Sequence, residues 1–249
     1  MFSNHFLNEL ACRHDWAKRE LVALLQAEFP DAAEATLTWR IHDLKSRGLL
    51  HAAGRGQYTT QPAKPDYLPI ITSGPLRLYQ KATAVLPSGT ARCLTDTAWL
   101  SELLGLSSPV SFILIETEKA QLNTVYDALV ELSRKVFLNP DASDVQRYVS
   151  THDRAVVLRP LVSEAPTNDM EGVIASSLEK LLVDAIVYTD LYANLQPHLP
   201  TLFYNVRSQF SLNESRIRRY ARRRDRLNEI EPYLTNITAA SKPKLIKND

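Results

Sequence analysis

Residues 36 to 58, TLTWRIHDLKSRGLLHAAGRGQY, constrain the fold more than any other stretch. Leu37, Ile41 and Leu44 recur at i, i+4 and i+7, the spacing of one buried helix stripe. Thr36 is placed to cap the helix, and Gly48 suits the left-handed residue that ends one. The period then changes. Leu49 to His51 is extended, Gly54-Arg55-Gly56 supplies a tight turn, and Gln57 to Thr60 returns as a second strand. Upstream, Lys18 to Glu28 carries Leu21, Val22, Leu24, Leu25 and Ala27, and Phe29-Pro30-Asp31 breaks that helix. The expected order is helix, helix, turn, helix and β-wing.

The second helix of a helix-turn-helix enters the major groove with its N-terminal exposed residues near the bases, which nominates Thr36, Thr38, Trp39 and Arg40. An arginine such as Arg40 forks onto guanine, and threonine reaches a base edge or a thymine methyl. Lys45, Arg47 and the wing-tip Arg55 suit phosphates, which set position without reading sequence. Tyr58, on the returning strand, completes the candidate DNA-contacting set. From Glu34 to Lys64 the basic residues are Arg40, Lys45, Arg47, Arg55 and Lys64, against Glu34 and Asp43, so the recognition end is locally basic. The alternative for the same residues is a winged helix that binds only protein, with Trp39 packed.

Over the whole chain 29 Lys+Arg stand against 28 Asp+Glu, so any nucleic-acid surface must be local. The 249 residues, 45% hydrophobic, are enough for two domains. No apolar run approaches the roughly 18 residues needed to span a bilayer, and MFSNHFLNELACRHD lacks the apolar core of a signal peptide, so a cytoplasmic protein without membrane partners is expected. Cys12 and Cys93 show no zinc or disulfide pattern, and His5, His14, His42, His51, His152 and His198 show no metal-ligand spacing. No metal and no cofactor is expected.

QPAKPDYLPIITSGP holds four prolines in fifteen residues and reads as a linker. The expected domains are a winged helix-turn-helix over 1–65, a mixed-sheet α/β (α+β) domain over 66–240 ending in an Arg-rich helix, and a flexible tail over 241–249. Within the second domain Thr90 to Leu94, Val110 to Ile115, Val136 to Leu138 and Ala155 to Leu158 read as strands. Ala98 to Leu104, capped by Asp96, Ala120 to Leu132 and a short turn at Val145 to Val149 read as helices between them. In SSLEKLLVDAIV, Ser176 and Glu179 fit a capping box, and Lys180 and Asp184 fit a solvated i, i+4 pair.

From Asn213 to Glu229 the chain reads as one helix with seven arginines and no lysine. Arg218, Arg222 and Arg226 form a stripe flanked by Arg219 and Arg223. Ile217, Tyr220, Ala221 and Leu227 lie opposite. Arg224 falls on the apolar side and should pair with a carboxylate of the domain. Like charges at i, i+4 repel, so the exposed arginines favour an anionic partner, either phosphate or an acidic protein surface.

Catalysis finds little footing. The Gly-Ser pair and spaced aspartates of a nucleotidyltransferase, the P-loop and the dinucleotide fingerprint are all missing. Asp96, Glu116, Glu118 and Lys119 are the best set for a metal-dependent nuclease, but Lys119 would sit on the opposite strand face from Glu118 and from Glu116. The expectation is a protein that is not an enzyme, with the nuclease kept as the lesser alternative.

The pieces TLTWRIHDLKSRGLLHAAGRGQY, CLTDTAWLSELL, FILIETEK, VFLNP, LVSEAPT, SLEKLLVD and SLNESRIRRYARRR, in this order, resemble the AbiEi-type antitoxins of bacterial type IV toxin–antitoxin systems. The resemblance covers nearly the whole chain, and the order of the pieces carries it. It implies a regulator that binds double-stranded DNA at inverted repeats upstream of its own operon and represses it. It also implies an antitoxin that counteracts a nucleotidyltransferase toxin without a stable complex. Carried onto this sequence, it implies DNA contacts from Thr36, Thr38, Arg40 and Arg55 and an auxiliary role for the C-terminal arginines.

Overall fold

The computed structural model describes residues 2–54, 56–62, 64–106, 112–133 and 135–235. The chain divides into two compact units, Met1–Pro65 and Asp66–Asp249. In the first unit the elements run α1 (Asn4–Ala11), β1 (Asp15–Ala17), α2 (Lys18–Glu28), α3 (Glu34–Ser46), β2 (His51–Gly54) and β3 (Gln57–Thr59). The three strands are antiparallel in the order β1-β3-β2, so the wing hairpin gains a third strand in which Trp16 faces Tyr58. Leu37, Ile41 and Leu44 of α3 are buried against Leu21 and Leu25 of α2 and Phe6 of α1.

Two helix ends in this unit differ in how well the sequence announces them. The chain enters α3 at Glu34, with extended Ala33 as N-cap and no side-chain cap bond, so Thr36 lies inside the first turn and does not cap it. Glu34 itself puts a carboxylate where the unpaired N–H groups favour negative charge. The other end follows expectation. Gly48 takes φ +69°, its N–H bonds to the Lys45 carbonyl and the Leu49 N–H to the Leu44 carbonyl, both at 3.0 Å, which closes a Schellman motif.

The second unit runs α4 (Ser73–Ala84), β4 (Arg92–Asp96), α5 (Ala98–Leu104), β5 (Phe112–Thr117), α6 (Leu122–Val130) and β6 (Val136–Leu138). Then come α7 (Ala142–Asp144), a π-helical turn at Val145–Val149, β7 (Ala155–Pro160), β8 (Thr167–Met170) and β9 (Val173–Ser176). The described residues continue with α8 (Leu178–Val187), a 3-10 turn at Ala193–His198, α9 (Leu199–Gln209), α10 (Glu214–Arg223) and α11 (Leu227–Thr235). Its six-stranded sheet has the order β6-β7-β5-β4-β9-β8 and mixes parallel with antiparallel pairs, which makes the class mixed α/β of the α+β kind.

Helices cover both faces of that sheet. Ile113 and Ile115 of β5 join Leu94, Val156 and Leu158 against Tyr79 of α4 and Val125 and Leu129 of α6. Phe112 and Leu114 point the other way, into a larger core with Trp99, Leu181, Phe203 and Ile217. Every residue of β5 is therefore buried, as a strand covered on both faces requires. Among the described residues no helix is long and apolar enough to cross a membrane.

Several boundaries differ from those read in the sequence. The Pro-rich stretch ends sooner, because Pro75 sits in the first turn of α4, where a missing N–H costs nothing. The strand read from Thr90 is β4, Arg92 to Asp96. Positions 110 and 111, where the β5 run was expected to begin, and the expected tail over 241–249 lie outside the described residues. The cap of α8 is Ser177, whose hydroxyl accepts from the Lys180 N–H, while Ser176 is buried on Thr95 and Cys93.

The Arg-rich run is two helices. Asp225 takes φ +54°, and the bonds from Arg226 N–H to the Ala221 carbonyl (2.9 Å) and from Asp225 N–H to the Arg222 carbonyl (3.1 Å) repeat the Schellman pattern. An aspartate here does the work usually left to glycine, which is why the run looks unbroken in sequence.

Candidate nucleic-acid interface

At about 100° per residue, Leu37, Ile41 and Leu44 set the inward direction of α3, and Ala35, Trp39, His42 and Ser46 point within about 45° of its opposite. All four are exposed, and Trp39 keeps 61% of its surface open. Thr38 and Lys45 are exposed along one flank of this stripe. Thr36, Arg40 and Arg47 lie along the other. The N-terminal half of α3 thus presents Thr36, Thr38 and Trp39 to solvent, while His42, set aside in the sequence as a non-ligand, shares their face and was findable from helical spacing alone.

Arg40 differs from the expectation. Its guanidinium lies 3.6 Å above the Phe29 ring and 5.7 Å from that of Phe2, and its Nε is buried, with no hydrogen-bond partner among the described residues. Stacked on two aromatic rings at the α1 and α2 ends, it holds α3 in place and is not extended as a guanine fork. Arg47 is exposed but donates to the Asp43 carboxylate at 2.9 Å, a common i, i+4 pair. Lys45 has no ion-pair partner among the described residues. Tyr58 is half-buried on the core of the first unit, and Arg55 lies outside the described residues.

The arginines of the second unit divide in a way the sequence does not announce. Arg218 bonds Glu214 at 3.0 Å and both oxygens of Glu231 at 3.2 Å, Arg223 lies 3.5 Å from Glu164, and Arg226, beyond the helix end, lies 3.2 Å from Glu229. Two hydrogen-bonded carboxylates raise the Arg218 pKa further. Arg219 and Arg222 are exposed and, among the described residues, have no acidic partner. The expected five-arginine stripe reduces to these two, because carboxylates from α11, from residue 164 and from the helix's own first turn supply most of the anionic partners.

Beneath α10 lies a buried charge cluster that sequence spacing gave no means of assembling. Lys180 bonds both Glu116 and Asp184, and all three side chains are withdrawn from solvent. Asp184 also accepts from the Tyr220 hydroxyl (3.0 Å) and from Arg224 (3.1 Å), which meets the expectation of a carboxylate for Arg224. The pair read as solvated is therefore a core pair, since α8 lies between the sheet and α10. Burial alone would pull Lys180 down, but Asp184 and Glu116 outweigh it and hold its pKa well above the ordinary lysine value. Burial pushes Glu116 up, and it pushes the Cys93 thiol beside it up to about 12. Glu116 leaves one oxygen without a hydrogen-bond partner among the described residues.

The nuclease set does not assemble. Glu116 stands opposite Cys93 and faces α8, whereas Asp96, three positions along β4, falls on the other sheet face. Asp96 instead accepts from the Ala98 N–H at the start of α5 and pairs with Arg154 at 3.3 Å. The Glu118 carboxylate accepts from the Ala91 N–H, and Lys119 opens a separate 3-10 turn. Among the described residues no three histidine, cysteine or acidic side chains are grouped to hold a metal ion.

Compared with known proteins, residues 36–240 match a family model described as a family of unknown function, DUF6577. No curated protein matches the chain.

Proposed function

The chain belongs to the DUF6577 family, and we propose that it is a sequence-specific DNA-binding transcriptional regulator, an AbiEi-like antitoxin that represses its own operon in the bacterial cytoplasm. One observation carries the proposal. The outward N-terminal half of α3, with Thr36, Thr38 and 61%-exposed Trp39, is followed directly by a β-wing, the arrangement that places such residues against base edges. Lys45 and the wing suit phosphates, and Arg219 and Arg222 are the two arginines of α10 left available for a further anionic contact.

The partner is double-stranded DNA with inverted repeats, and the protein acts by binding, with a nucleotidyltransferase toxin as the activity it counteracts. A winged helix that binds only protein is the second reading, favoured by the retention of Arg40 and Arg47 in contacts within the unit. Footprinting on the DNA upstream of the gene, with a promoter fusion in cells, separates the two. Protection of paired repeats and repression lost in the Thr36→Ala/Thr38→Ala variant support the regulator; an unprotected upstream region and an unrepressed promoter refute it.

A further inference from the structure

We infer that α3 reads DNA through an uncharged stripe centred on Trp39, and that the chemical group it selects is the 5-methyl of thymine. This rests on the DNA-binding reading above and names what that surface recognises. The residues pointing most directly away from the core, Ala35, Trp39, His42 and Ser46, carry no carboxylate, ammonium or guanidinium; Thr38 flanks them on one side and Asp43 on the other, its carboxylate held by Arg47 at 2.9 Å. Of the two arginines on the flank of this stripe, Arg47 is paired with Asp43, and Arg40 is stacked at 3.6 Å on Phe29 with its Nε buried, so a bidentate bond from Arg40 to guanine requires it to leave that stack. Arg40 is a positioning residue, and the reading falls to the groups that remain.

Those groups are a large indole face, a threonine methyl and an alanine methyl. In the major groove the apolar feature that distinguishes one base from the others is the thymine methyl, and alanine, threonine and aromatic side chains are its usual contacts. A protein partner fits the same surface less well. Hydrophobic docking sites gather several apolar side chains into one patch, whereas Trp39 stands among small and polar neighbours, Thr36, Thr38, His42 and Asp43. One broad apolar ring flanked by hydrogen-bonding groups matches a groove floor in which methyls alternate with polar base edges.

The test enriches a random-sequence duplex pool on the full-length protein, then replaces each thymine of the best duplex in turn by deoxyuridine, which removes the 5-methyl alone. Affinity is read by fluorescence anisotropy. At the thymines touched by α3, the replacement should weaken binding by about fourfold, the value of one buried methyl-sized group. Trp39→Ala should abolish that sensitivity, Trp39→Phe should retain it, and both variants should melt like the wild type because position 39 is exposed. Arg40→Ala should weaken enriched and scrambled duplexes by the same factor. Deoxyuridine that is neutral at every position, or that costs as much in Trp39→Ala as in the wild type, overturns the inference and leaves the regulator standing. Failure of any duplex to bind overturns both.

Discussion

Replacing Lys180 by methionine removes the cation that, among the described residues, touches both Glu116 and Asp184, while keeping roughly the volume of the side chain. The two carboxylates do not suffer equally. Asp184 retains the Tyr220 hydroxyl at 3.0 Å and Arg224 at 3.1 Å, but Glu116, which among the described residues already has one unpartnered oxygen, loses the cation bonded to the other. Breaking a fully buried ion pair from one side costs about 3–5 kcal/mol, because a charge is left without compensation in a low-dielectric interior. That is a large share of the ~5–15 kcal/mol that holds a typical protein folded. The double variant Lys180→Met/Glu116→Leu removes the stranded charge together with its partner and should recover about 1–3 kcal/mol of the loss. Urea unfolding of both variants, followed by far-ultraviolet circular dichroism, measures the difference. A Lys180→Met protein within about 1 kcal/mol of the wild type, in the range of an exposed pair, would refute a buried cluster.

Three smaller tests address the rest of the fold. Arg40→Ala should destabilise the first unit by about 1–2 kcal/mol through loss of the Phe29 stack, visible in its melting temperature, whereas a stability equal to the wild type would return Arg40 to the pool of free cations. Asp225→Gly should stabilise the second unit by about 0.5–1 kcal/mol in urea unfolding, since glycine takes φ +54° without the cost an L-residue bears; destabilisation would mean the aspartate side chain contributes more than its backbone strain. The pKa of Glu20 is lowered by the Ala17 N–H and then by Arg13, and that of Glu28 by the Ser3 N–H and hydroxyl. Both folded-state values lie below the ordinary 4.5, so this contribution is fully present above that pH and is lost as the pH falls through the lowered values. Wild-type unfolding curves below pH 4.5 should show that loss, and Glu20→Gln/Glu28→Gln should reduce the dependence by the share of these two carboxylates, leaving that of Glu131 and Asp141.

Local pattern made the first unit legible. Leu37, Ile41 and Leu44 repeat at helical spacing, and Gly48 and the Gly54–Gly56 turn mark the conformations that side chains resist, so α3 and the wing follow from neighbours in sequence. β1 does not, because three residues are too few for a period and only its pairing with β3 defines it. In the second unit β5, β6 and α8 emerge from apolar runs, whereas β8 is a short edge strand of mostly polar residues and β9, between β8 and β4, has only four residues in which to show a period.

The outward face of α3 was legible in sequence, whereas the partners of several charged residues were not. Periodicity placed Thr36, Thr38 and Trp39 outward, but the stack of Arg40 on Phe29 and the partners of Arg218 and Arg223 depend on residues brought together by the fold. Lys180 is the plainest case. Its neighbour at i+4 was visible in sequence, while Glu116, 64 residues away, is the contact that identifies it as a core residue.

The most direct test of the regulator is the affinity of the full-length protein for the duplex upstream of its gene against a scrambled duplex, by fluorescence anisotropy at two salt concentrations. Binding to the upstream duplex should be tighter and should weaken with salt by a log–log slope of about 0.9 per phosphate contacted. Equal and feeble binding to both duplexes at both salts would contradict it.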